Sequence, residues 1–159
     1  MGFFDTMFGR QEQGNPNEIL AASLTSLDVQ LGSAFSAYVT NKSRLSVLGR
    51  EAVEQFQMVK SKDRNEQTRA MESYFREALA LMENQRRLVT TMNEVSKKRR
   101  FKMATELATV LAQIKRSEET LRRVVQANND PAINRLQGMG DALSHHKSME
   151  QSVLWPALK

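Results

Sequence analysis

Apolar positions follow a four-and-three alternation over two long stretches of the chain. In the first, Leu20, Leu24, Leu27, Leu31, Ala34, Tyr38, Leu45, Leu48 and Ala52 keep the rhythm, with Asn41 at one polar position. Two seam residues in every seven is the spacing with which one helix faces another. Small residues between them, among them Ala21, Ser23, Gly32, Ser33 and Ala37, allow a close neighbour. The pattern predicts a helix from Asn17, with Asn15 or Asn17 as cap and Glu18 in the first turn. It would run for about 40 residues, or roughly 60 Å.

Ser61 to Asn65, SKDRN, is a wholly polar stretch and reads as the tip of a hairpin. Beyond it Met71, Phe75, Ala78, Met82, Gln85, Val89, Met92 and Val95 resume the rhythm. Leu107, Leu111, Ile114, Leu121 and Val125 continue it after the basic run Lys97 to Lys102, KKRRFK, where a break or bend is open. NNDP, Asn128 to Pro131, ends this second helix. Asparagine tolerates a left-handed cap and proline cannot continue a helix. Ala132, Ile133, Leu136, Met139, Ala142 and Leu143 form a shorter amphipathic helix, and the tail closes on VLWPALK.

The fold class expected is therefore all-α: a long antiparallel, coiled-coil-like helical hairpin with a short N-terminal amphipathic segment and one or more short C-terminal helices. Its parts are the N-terminal segment 1–13, a hairpin core 17–127 with its tip near 61–65, and a C-terminal helix and apolar tail 131–159. Within the first part, Phe3, Phe4, Met7 and Phe8 share one side of a helix, with Asp5, Thr6 and Arg10 on the other. Each such side chain left in water forgoes roughly 1.5–3 kcal/mol. The segment is either an interfacial membrane anchor or tucked against the hairpin or a neighbouring subunit. Gly14 and Pro16 make the hinge behind it. Met1, Gly2 and Thr6 fit the N-myristoylation pattern at Gly2, although bulky Phe3 is a poor context.

Charge sharpens this picture. Arg86 to Arg123 holds eleven basic residues against four acidic ones, an excess of seven. That stretch should attract a polyanion. Within it Lys97, Lys98, Arg99, Arg100 and Lys102 encircle a helix, and anionic lipid or nucleic acid would satisfy them. Lipid is preferred because the N-terminal segment points there independently. No apolar run reaches the ~20 residues of a spanning helix. The chain has no cysteine, which removes disulfides and thiolate metal sites and suits the cytoplasm. Adjacent His145 and His146 point about 100° apart on a helix and cannot readily share a metal. No catalytic, cofactor or metal site is expected.

The order of an apolar start (MGFFDTMFGR), a polar hinge (GNPNE), a long helix, a short tip (SKDRN) and a second helix opening NEQTRAMESYFREALALMENQ resembles the ESCRT-III and PspA superfamily of membrane-remodelling filament proteins. The likeness covers roughly residues 1 to 147. It implies a self-assembling, non-enzymatic scaffold, cytoplasmic and peripherally membrane-bound, with Phe3, Phe4, Met7 and Phe8 inserted and the hairpin as the polymerising unit. It also implies a tail that docks an AAA ATPase or another protein, for which Leu154, Trp155 and Leu158 are the candidates. The first helix departs from the family, because Lys42, Arg44, Arg50 and Lys60 are balanced by Glu18, Asp28, Glu51 and Glu54. The alternative is a soluble coiled-coil adaptor or structural subunit whose basic helix binds nucleic acid or an acidic protein.

Overall fold

The computed structural model describes residues 15–144 and 148–158, and the elements among them are all helical, packed against one another. The first, α1 (Pro16–Leu27), starts where Asn15 Oδ1 accepts from the Asn17 N–H at 2.8 Å and Pro16 occupies a first-turn position. Proline lacks only an N–H that would have no partner there.

The expected continuous rod from Asn17 is broken at Asp28. This residue is extended, with φ −166°, and its carboxylate accepts from the N–H groups of Gln30 at 2.9 Å and Leu31 at 3.2 Å. A new helix, α2 (Val29–Val59), begins there and folds back along α1. Gly32 permits the close crossing: a Cβ on it would fall 2.7 Å from Thr25 Cα. Further along, Glu18 and Ala21 lie beside Ser36 and Val39.

Asp63 caps α3 (Arg64–Lys98) by accepting from the Glu66 N–H at 2.9 Å. Arg44 on α2 meets Glu77 on α3 at 2.7 Å, and Asn41 donates to Gln85 Oε1 at 2.7 Å, so the two helices run in opposite directions. Asn41 also donates to the Leu81 carbonyl at 2.9 Å and accepts from Asn84 at 3.0 Å. A satisfied polar group at an otherwise apolar seam favours one register over its neighbours, because any slip would strand it.

The second expected helix also divides. After Lys98 the chain reverses, and α4 (Ala104–Gln126) returns along α3 with Glu118 held by Arg86 and by Arg122 at 2.8 Å. The stop is a Schellman motif. Phe101 N–H reaches the Ser96 carbonyl at 2.8 Å, and Arg100 N–H reaches that of Lys97 at 3.2 Å. Arg100 takes the left-handed position, with φ 57°.

A shorter helix, α5 (Ala132–Ser144), packs against α2, α3 and α4. Its buried face is Ala132, Arg135, Met139 and Ala142, while Ile133, expected on the apolar face, is exposed. Arg135 is 2% exposed. It donates to both Glu72 oxygens at 3.0 and 3.4 Å and to the Val124 and Val125 carbonyls at 2.9 and 3.3 Å. Its guanidinium lies 4.5 Å from the Phe75 ring centre. The chain finishes with a π-helical turn, Glu150–Leu154, and α6 (Trp155–Ala157). Met149, Val153 and Leu154 join the same core as the long helices.

Candidate functional site: a basic end and an apolar groove

Two short reversals put their turns at one end of the molecule. Arg99, in the α3–α4 turn, binds the Asp28 carboxylate at 3.2 Å and the Leu27 carbonyl at 3.3 Å, which fixes that turn against the α1–α2 turn. The same guanidinium lies 5.6 Å from the Phe101 ring centre. Lys97, Lys98, Arg99, Arg100 and Lys102 are all exposed here. Of the five, only Arg99 has an ion-pair partner among the described residues. The run does not encircle a continuous helix as expected. It is gathered on a reversal, beside the exposed apolar side chains of Leu27 and Val29, the latter 72% exposed. Four unpaired cations with apolar neighbours form a surface suited to an anionic interface.

The second feature is a half-open cavity of about 690 Å³ between α2, α3, α4 and α5. That size falls within the ~300–1,000 Å³ usual for ligand sites. Leu45, Val53, Met82, Val110, Ile114 and Leu143 give it an apolar lining, and Gly140 leaves room, since a Cβ there would meet nothing within 4 Å. Lys42, Arg50 and Glu54 stand around it. Lys42 pairs with Glu150 at 3.3 Å. Burial, helped by the Glu150 charge, pushes the Tyr38 hydroxyl well above the ordinary phenol value, so Tyr38 stays neutral beside the groove. The seam pattern gave no sign of this groove. Val53, off the four-and-three rhythm yet apolar, and the small residues Gly49 and Gly140 were the traces it left.

The other sequence candidates separate into two groups. Gly2, Phe3, Phe4, Met7 and Phe8 lie outside the described residues, as do His145 and His146. In the tail, Leu154 is sealed in the core at 0% exposure, while Trp155 and Leu158 are half-buried against it. The tail is thus packed back, and Leu154 offers a partner no surface in this arrangement. Among the described residues no group of three His, Cys, Asp or Glu side chains could hold a metal ion. No described helix is long and apolar enough to cross a membrane. Compared with protein-family profiles, curated proteins and solved structures, the chain matches none.

Proposed function

We propose that the chain is a membrane-associated scaffold without enzymatic activity, whose basic end meets anionic headgroups while its N-terminal segment enters the interface. The observation that carries this reading is the gathering of Lys97, Lys98, Arg99, Arg100 and Lys102 on one exposed turn beside Leu27 and Val29. A cation near an anionic leaflet contributes about 1 kcal/mol. The four without an ion pair therefore supply roughly 4 kcal/mol, a grip near 1 mM. So weak an attachment needs a second contribution. Phe3, Phe4, Met7 and Phe8 provide one, a lipid on Gly2 would provide another, and side-by-side assembly of copies multiplies the contacts of each.

Self-assembly into a filament through the α2–α3 hairpin rests on the resemblance to ESCRT-III and PspA proteins, as does a cytoplasmic, peripheral location. The resemblance is tempered by the breaks at Asp28 and Arg100, which shorten the rods that such filaments use. Docking of an AAA ATPase or other partner on Leu154, Trp155 and Leu158 would require the tail to leave the bundle.

Co-sedimentation with vesicles tests the main reading. The wild-type chain should pellet with phosphatidylserine-containing vesicles and not with neutral ones. Reversing charge at Lys97, Lys98, Arg100 and Lys102 should abolish pelleting, and deleting residues 1 to 10 should weaken it at least tenfold with helicity kept. Equal pelleting with neutral vesicles, or by the charge-reversed chain, defeats the proposal. The same cations favour a second reading, the soluble adaptor that binds nucleic acid or an acidic protein. Tighter binding to DNA than to anionic vesicles at equal physiological salt would establish it instead.

A further inference from the structure

The groove starts close to the point at which the described chain begins. Asn15, the first described residue, lies beside Ser36 and Val39 on α2, and the groove begins at Tyr38 and Lys42, within one helical turn of that point. Ser46, Arg50 and Val53 line the groove onward from that point to its far side. From Lys42 to Val53 is about 17 Å of helix, and a fourteen-residue tether has the reach to span it even at the ~1.5 Å per residue of a helix. The length of the tether therefore suffices.

We infer that Phe3, Phe4, Met7 and Phe8 occupy this groove in the protein free in solution, so that the same residues are shared between a site in the bundle and the membrane. The inference rests on the membrane reading for its second half only. Apolar residues spaced three and four apart are what a groove between helices accepts, and the cavity of about 690 Å³ is apolar where such side chains would lie. Around it Lys42 and Arg50 face Glu54 and Glu150. This mixed rim favours neither a strongly anionic nor a strongly cationic guest. The segment is mixed as well, with Asp5, Arg10 and Glu12. A tether this short presents the segment at an effective concentration in the millimolar range, far above any separate molecule of similar chemistry. Occupancy also lowers apparent membrane affinity, by the fraction of chains whose segment is free.

The chain has no cysteine of its own, so a pair can be placed cleanly. Gly9→Cys with Ser46→Cys, treated with a short bis-maleimide at low protein concentration, should give a cross-link within one chain. Gly9→Cys with Glu119→Cys, whose second position lies on α4 outside the groove lining, should give little. Anionic vesicles should reduce the first cross-link several-fold. Gly140→Phe, which fills the open space in the groove, should abolish it and raise vesicle binding several-fold. If that variant loses helicity, Phe3→Ser with Phe4→Ser serves in its place and should also abolish it. A cross-link between two chains assigns the groove to a second copy's segment and overturns the inference. So does no cross-link while both cysteines react singly. An intrachain cross-link in a chain that binds no vesicle keeps the groove assignment and removes the membrane reading.

Discussion

The two ends of the bundle are built on opposite principles. At the far end, Lys60, Lys62 and Arg64 stand with Asp63, Glu66 and Asp130, and hydrogen bonds tie the α2–α3 turn to the end of α4. Asp63 caps α3, Gln67 donates to the Lys60 and Lys62 carbonyls, Arg64 reaches the Asn129 carbonyl, and Arg135 closes the last turn of α4 onto Glu72. At the basic end, five cations crowd a turn that offers them Asp28 as an ion partner, and arginine takes a backbone position that glycine fills at lowest cost. A left-handed residue with a side chain costs about 1–2 kcal/mol. The far end is arranged for stability. The basic end carries a strained backbone position and four cations without an ion partner among the described residues.

Substitutions at the two ends should test this contrast. The largest effect belongs to the far end. Arg135→Ala leaves Glu72 with Arg76 alone and takes the donor from two carbonyls, and should cost about 3 kcal/mol in urea denaturation; a loss under 1 kcal/mol would show the buried guanidinium to be a bystander. Next comes the α1–α2 crossing at the basic end. Gly32→Ala pushes a methyl into the Thr25 backbone and should cost roughly 1–3 kcal/mol. Arg100→Gly should move the other way, raising stability by about 1 kcal/mol while weakening anionic vesicle binding. If it destabilises, the turn carries no strain. The smallest effect is with pH. Burial would raise the Glu72 carboxyl, but hydrogen bonds and charge from Arg135 and Arg76 outweigh it and hold it below its ordinary 4.5. A carboxylate held low in the folded state stabilises above its unfolded value and loses that contribution as pH falls through the folded one. Wild type should therefore lose stability below about pH 4.5 more steeply than Glu72→Gln, measured by thermal melts from pH 7 to 3.

Burial in the long helices was legible because it follows from period alone. Leu20, Leu24, Leu31, Tyr38, Leu45 and Leu48, then Met71, Phe75, Met82, Val89 and Met92, are buried as the alternation requires. Asn41 and Gln85 hold seam positions and bond to each other. The Asp28 reversal was hidden, since it interrupts the backbone without interrupting the rhythm, whereas at Lys97 to Lys102 the rhythm lapses and a break was open. Leu27 and Leu31 bracket Asp28 at the expected spacing, so an aspartate that caps a new helix looked like one more polar position. At Arg100 the usual mark of a helix stop, glycine, is absent. Arg135 was missed for a different reason. A charged residue is expected on a solvated face, and its burial is intelligible only once Glu72 and the α4 carbonyls are known to surround it. The basic cluster was visible as composition. Its location on a turn, next to Leu27 and Val29, depended on the Asp28 reversal, which the pattern did not show, and on a full reversal where the pattern left a break or bend open.

The docked tail has a practical consequence. Trp155 is the chain's sole tryptophan and sits half-buried on the core, directly after the π-helical turn in which its N–H closes onto the Glu150 carbonyl. Its indole is therefore an intrinsic fluorophore at the junction of tail and bundle. Any event that peels the last ten residues away would hydrate the ring and shift its emission to longer wavelength, with no added label.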